Sequence, residues 1–174
     1  MWYYVQIQGR HAPRFYFREQ SMQNFKTLLD ALIDGSAVVV SSPYRTDVIF
    51  SSSTDQRNSL FKLWSLYLSS PFSDRDKRKF SFYSEREEVL EMFFASLVTL
   101  SKVNGWYEKY LQSFRLVCSD EQNNPIIKEL IACESFLQSR NKTLKRTPIN
   151  LRSPIKPNIT FRDRPDLDAS KFLN

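Results

Sequence analysis

The sequence predicts an α+β fold: a small mixed sheet of about four strands in β-β-α-β-β-α order, then a helical C-terminal half and an extended tail. Three observations predict it. The stretches that read as strands, rich in aromatic and β-branched residues, gather in the first 52 residues. From Ser84 onward, apolar residues recur at helical spacing. After Lys142 that periodicity ends, and Pro148, Pro154, Pro157 and Pro165 follow. The chain therefore divides into one globular domain over 1–142, with its sheet in 1–70 and its helices in 84–142, and a basic, proline-rich tail over 143–174.

Residues 2–8 and 14–18 have strand composition, with Gly9 to Pro13 as the loop between them. Ser21 offers a helix cap ahead of Phe25, Leu28, Leu29, Leu32 and Ile33, and Gly35 falls where a left-handed C-terminal cap would end that helix. Ala37–Ser41 and Thr46–Ser52 read as two further strands, turning through Ser42-Pro43-Tyr44-Arg45. Leu60, Phe61, Trp64, Tyr67 and Leu68 make the next helical stripe, stopped by Pro71. The helices of this first part are expected to cover one face of the sheet.

Ser84-Glu85-Arg86-Glu87 has the spacing of a capping box. Leu90, Phe93, Phe94, Leu97, Val98 and Leu100 then form a dense apolar face. Gly105 interrupts the pattern, Tyr107, Tyr110, Leu111 and Phe114 resume it, and Pro125 opens a last helix bearing Ile126, Ile127, Leu130, Ile131 and Leu137.

Composition narrows the chemistry. The 174 residues include 14 Phe, 8 Tyr and 3 Trp, enough aromatic surface for a sizeable core. With 3 Gly, phosphate-cradling glycine loops have little material, and none of the nucleotide-loop or zinc-protease motifs occurs. His11 is the single histidine, and its surroundings hold no nucleophile or orienting acid. Glu87, Glu88 and Glu91 read as first-turn carboxylates complementing a helix dipole. Asp163, Asp166 and Asp168, interleaved with Arg162, Arg164 and Pro165, read as solvated charge. Cys118 and Cys133 are too few for a disulfide scaffold or zinc site. The expectation is a non-enzymatic protein without metal or cofactor. No run of about 18 apolar residues exists, and the alternating MWYYVQIQG start does not resemble a signal peptide. The chain is expected to be intracellular, cytoplasmic or nuclear, and its two glycosylation-type triplets, at Asn141 and Asn158, to be chance matches.

The net charge of +6 is uneven. Residues 1–142 carry 18 basic and 16 acidic side chains, whereas 143–174 carry 7 and 3. Within the body, two stretches concentrate cations beside aromatics: Arg10, Arg14, Tyr16 and Arg18, and Arg75, Lys77, Arg78 and Lys79. Read as a strand, 14–18 would present Arg14, Tyr16 and Arg18 on one face, a surface suited to single-stranded nucleic acid. The tail contains two near-copies, Arg146-Thr147-Pro148-Ile149 and Arg152-Ser153-Pro154-Ile155. Basic residues at fixed spacing, pocket-filling apolar side chains and prolines that limit the entropy lost on binding describe a docking peptide. Its candidate contacts are Arg146, Ile149, Leu151, Arg152, Ile155, Lys156, Ile159 and Phe161. Thr147 and Ser153 precede prolines and are candidate phosphorylation sites, where added negative charge would offset the tail's +4.

Three functions are expected in descending order. The first is an interaction or adaptor subunit of a larger complex, docking protein partners through its body and tail. The second is a nucleic-acid-binding protein using the basic-aromatic stretches. The third, by analogy of architecture alone, is a small viral matrix-type structural protein. Self-association is open to the first and third.

Overall fold

A computed structural model describes residues 1–68, 71–103 and 105–146. Four antiparallel strands form the sheet: β1 (Trp2–Gln8), β2 (Ala37–Ser42), β3 (Arg45–Ser51) and β4 (Ser81–Ser84), in the order β2-β3-β1-β4. Seven helices accompany them: α1 (Ala12–Phe15), α2 (Glu19–Leu32), α3 (Arg57–Ser65), α4 (Asp74–Lys77), α5 (Arg86–Leu100), α6 (Trp106–Asp120) and α7 (Pro125–Arg146). A 3₁₀ turn at Gly9–His11 joins β1 to α1. No described helix is long and apolar enough to cross a membrane.

The α+β class stands, with corrections in its elements. Residues 14–18 are not a strand. Pro13, which lacks an N–H and presets φ, sits in the first turn of α1 instead. Phe17 then tucks in as an extended link, its N–H donating to Ser41 Oγ at 2.9 Å. The fourth strand is β4, which lies beyond the predicted sheet region and pairs with β1 from Tyr3↔Ser84 to Gln6↔Ser81. The Ser84 capping box does not form. Glu85 takes the N-cap place with φ 72°, and the Glu88 carboxylate accepts from the Ser84 N–H at 3.1 Å. A capping box forms instead at Ser73 and Asp76. Finally, α2 begins at Glu19 with Arg18 as its cap, and α7 runs four residues past 142, to Arg146.

Helices cover both faces of the sheet: those of the first part, α1 to α3, lie on one face as expected, and α5 and α6 cover the other. Strand alternation assigns the faces. Val5, Val48, Phe50 and Phe82 share a face with the aromatic packing of Phe15, Phe17, Phe25, Phe61 and Trp64 from α1 to α3. There Phe17 stacks on Phe25 at 4.5 Å and on Trp64 at 5.0 Å, and Phe61 meets Phe82 edge-on at 5.5 Å. The opposite face presents Tyr4, Gln6, Arg45, Asp47 and Ile49 to α5 and α6. Both faces being covered, β2 and β3 are buried almost throughout and read as continuous rather than alternating strands.

The second face holds a buried ionic network. Arg45 and Asp47 have side chains 0% and 1% exposed, with Nε to Oδ2 at 2.7 Å. The Tyr4 hydroxyl donates to Asp47 Oδ1 at 2.9 Å and that of Tyr110 to Oδ2 at 2.5 Å, while Gln6 Nε2 adds a donor to Oδ1 at 3.3 Å. The Arg45 guanidinium lies 4.6 Å from the Tyr110 ring centroid and 5.5 Å from that of Phe93. Burial opposes its charge, but Asp47 outweighs that and holds its pKa above the ordinary value. Burial likewise pushes Tyr4 and Tyr110 well above theirs, so both remain donors.

Gly35 does not cap α2. The positive φ values among glycines belong to Gly9 and Gly105, and Gly105 is the N-cap of α6. Gly35 is needed for space, because a Cβ there would lie 2.4 Å from both the carbonyl oxygen and Oγ of Ser51.

Two predictions follow from this packing, both read by urea denaturation. Gly35→Ala forces the backbone of β3 to shift and costs about 1–3 kcal/mol. Asp47→Ala strands a buried guanidinium and costs about 3–5 kcal/mol; adding Arg45→Met recovers part of that, the remainder reflecting the Tyr4, Gln6 and Tyr110 donors left without the Asp47 acceptor.

Candidate nucleic-acid interface at the basic end of the sheet

Strand direction sorts the loops into two ends. β1 ends at Gln8 opposite Arg45, where β3 begins, and Arg45 pairs with Ser42, where β2 ends. At this end emerge the segment 9–18, the turn Pro43–Tyr44, and the stretch 73–80 that leads into β4. The Gly9 N–H donates to the Tyr44 carbonyl at 3.0 Å, joining the first two.

The two predicted basic stretches meet here, across 62 residues of sequence. Asp76 is the meeting point. Its carboxylate, 5% exposed, accepts from Arg14 Nη1 at 2.8 Å and Nη2 at 3.3 Å, and from Lys79 Nζ at 2.7 Å. Ser73 supplies its hydroxyl at 2.7 Å and its N–H at 3.1 Å. The hydrogen bond from Lys79, those from Ser73 and the charge of Arg14 together hold the Asp76 carboxyl far below the usual carboxylate range. Phe15 forms the floor, with the Arg14 guanidinium 5.4 Å and Lys79 Nζ 5.8 Å from its ring centroid. The ring is itself wedged between Phe72 at 5.2 Å and Phe80 at 4.9 Å.

His11 adjoins this cluster. Arg10 Nε lies 3.4 Å from its Nε2. Partial burial, Arg10 and Lys79 all lower its pKa, so it is neutral at pH 7 and adds no charge. Arg75 and Arg78 are exposed on and just after α4, and Lys77 pairs loosely with exposed Asp74 at 3.2 Å. Arg18 and Tyr16 lie on the link to α2, with Tyr16 37% exposed. The structure thus brings Arg10, Arg14 and Lys79 together and sets Arg75, Lys77 and Arg78 beside them. It does not build the sheet face expected for Arg14, Tyr16 and Arg18.

Residues 10–18 and 74–79 together hold seven basic side chains and two aspartates, a local balance of +5. Since residues 1–142 sum to +2, the remainder of the body is −3. Acidic side chains collect at the other end of the strands, where Asp34, Asp55, Glu85, Glu87 and Glu88 flank the ends of α2, β3 and β4. Large apolar side chains exposed there and elsewhere, among them Leu28, Leu32, Leu66, Leu116 and Ile131, fall outside residues 84–114.

Three further residues at the basic end escaped sequence reasoning. Tyr44 stacks on Trp106 at 4.5 Å and 9°, with Lys109 Nζ 5.5 Å from the Tyr44 centroid. The signal available was an aromatic in a two-residue turn next to proline, where small polar residues are usual. Cys118 and Cys133 are free, with thiols pushed up to about 11 chiefly by burial. Of the predicted tail contacts, Arg146 is the last residue of α7. Ile149, Leu151, Arg152, Ile155, Lys156, Ile159 and Phe161 lie outside the described residues, as do Thr147 and Ser153.

The depressed Asp76 carboxyl makes a signed prediction. Its contribution to stability is complete above pH 3.8, the ordinary aspartate value, and is lost as pH falls below that. Thermal melts between pH 5 and pH 2 therefore show a steeper acid limb in the wild type than in Asp76→Asn, which also lowers stability at pH 7. The chain matches no protein-family model and no curated protein sequence.

Proposed function

We propose that the folded body binds nucleic acid through its phosphate backbone, using the basic end of the sheet. The observation that carries this reading is the convergence of the two basic stretches on Asp76. Phosphate contacts position a protein on nucleic acid without reading sequence, and they need only well-placed cations. Arg14 and Lys79 are held in place before any ligand arrives, so little side-chain entropy is lost when they engage one. Arg10, Arg18, Arg75 and Arg78, from the same two stretches, are exposed.

The adaptor reading rests on a different observation, the near-repeat at Arg146-Thr147-Pro148-Ile149 and Arg152-Ser153-Pro154-Ile155. In that reading, residues 143–174 grip a protein partner, and their +4 charge would also attract nucleic acid weakly. The test must therefore separate body from tail.

Fluorescence anisotropy of the full-length protein with labelled mixed-sequence oligonucleotides does so. Affinity is expected to fall steeply with salt, with a log–log slope of about −3.5 on single strands if five phosphates are engaged. Arg75→Glu with Arg78→Glu weakens binding at least tenfold. A tail variant, Arg152→Gln, Lys156→Gln, Arg162→Gln and Arg164→Gln, retains it. Loss of binding in the tail variant alone, or no binding by the wild type, overturns the proposal and leaves the adaptor reading.

A further inference from the structure

The Tyr44–Trp106 pair is not needed to neutralise phosphate, yet it stands at the same end of the sheet as the cations that do. Tyr44 occupies a two-residue turn beside Pro43, and Trp106 is the first residue of α6. Both rings are half-buried, Trp106 packing partly against the core, and they lie nearly parallel, 4.5 Å apart. Lys109, one helical turn beyond Trp106, brings its ammonium to 5.5 Å from the Tyr44 ring. The Tyr44 carbonyl is hydrogen-bonded to Gly9, the residue before Arg10. A flat aromatic surface, a cation beside it and a basic cluster on the adjoining turn are the parts from which single-strand sites are built.

We infer that Tyr44, Trp106 and Lys109 form a base-stacking platform, so that the ligand of the basic end is single-stranded nucleic acid. The inference rests on the phosphate-binding reading and adds a ligand class to it. In a duplex, bases are already stacked inside and cannot lie on a protein ring without being flipped or unpaired. A single strand offers each base's face, and its phosphates can follow Arg10 toward Arg14 and Lys79. The stacking is sequence-tolerant, because every base has a π-face.

The platform also predicts a spectroscopic signature. Of the three tryptophans, Trp64 is fully buried and Trp2 begins β1 at the acidic end, which leaves Trp106 at the basic end. Stacking of a base on Trp106 quenches its emission, whereas neutralisation of nearby lysines and arginines by a flexible polyanion does not.

The experiment uses full-length protein and three probes: a labelled single-stranded 12-mer of thymidines, a 12-base-pair duplex, and inorganic polyphosphate. The wild type is expected to prefer the single strand to the duplex, and to lose tryptophan emission with the 12-mer but not with polyphosphate. Trp106→Leu weakens 12-mer binding roughly tenfold and leaves polyphosphate binding within twofold. Trp106→Phe, which keeps a stacking ring, stays near the wild type. Lys109→Gln, on an exposed position, lowers 12-mer affinity without a change in melting temperature. Equal affinity for all three probes, with Trp106→Leu binding them as the wild type does, overturns the inference and leaves phosphate binding intact. A Trp106→Leu protein that loses every ligand together with its melting transition marks the pair as a structural clamp. The absence of quenching in the wild type then overturns the inference without any variant.

Discussion

Arg45 is fully buried, and the basic end of the molecule depends on how that charge is met. A buried guanidinium without a counterion costs several kcal/mol; here Nε and Nη2 are bonded, to Asp47 and Tyr4, and Nη1 has no partner among the described residues. Asp47, two residues along the same strand and hence on the same face, provides the counterion. Its two oxygens are completed by Tyr4 and Gln6 from β1 and by Tyr110 from α6. The pair can thus be accommodated in one register of β1 against β3 and one placement of α6. A slip of one residue would turn Tyr4 and Gln6 to the other face and leave the carboxylate to the arginine alone.

That internal constraint reaches the surface directly. Tyr44 precedes Arg45 in the chain, and Trp106 precedes Tyr110 by one helical turn. The cation–π contact of Arg45 with Tyr110 and the stack of Tyr44 on Trp106 are therefore inner and outer layers of a single junction between the β2–β3 turn and α6. The same turn accepts the Gly9 hydrogen bond that aims Arg10 and the segment beyond it. Core polarity, often a burden to a small fold, here sets the positions of residues facing solvent.

Much of this architecture is legible from the chain, and the failures have physical causes. The stripes Phe25–Leu29 and Leu60–Phe61–Trp64 are helical in both sequence and structure, because a single apolar face meeting a sheet imposes the 3.6 period. Phe15 and Phe17 alternate as strand residues do. Yet they enter the core from a short helix and an extended link, where spacing of two has no connection with a pleat. The strand Ser81–Ser84 is four residues long and lies at the sheet edge, too short to show periodicity, and Ser84 begins a pattern that imitates a helix cap. The basic cluster was legible as two separate stretches, but their meeting at Asp76 is tertiary. Residues 14 and 76 share no local signal, and an aspartate between lysines and arginines reads as ordinary solvated charge. Arg45 and Asp47 were hidden for a related reason: charged residues on a strand are expected to face water, and this strand has no face that does.

Net charge alone misdescribes the surface that a polyanion would meet on this body. A total of +2 over residues 1–142 suggests indifference. Screening at physiological ionic strength limits exposed charges to a reach of about 8 Å, whereas the seven-residue β1 separates the two ends by roughly 23 Å. A phosphate at Arg10 therefore feels the local cluster and is insulated from Glu85, Glu87 and Glu88. Within that cluster Asp76 removes one unit of charge, but it also relieves the repulsion between Arg14 and Lys79 and holds both against Phe15. A cluster without the carboxylate would carry more charge and less order. Because phosphate groups on a nucleic acid occur at regular intervals, fixed cations engage them with less entropic loss than freely rotating ones, and the buried aspartate is what fixes them.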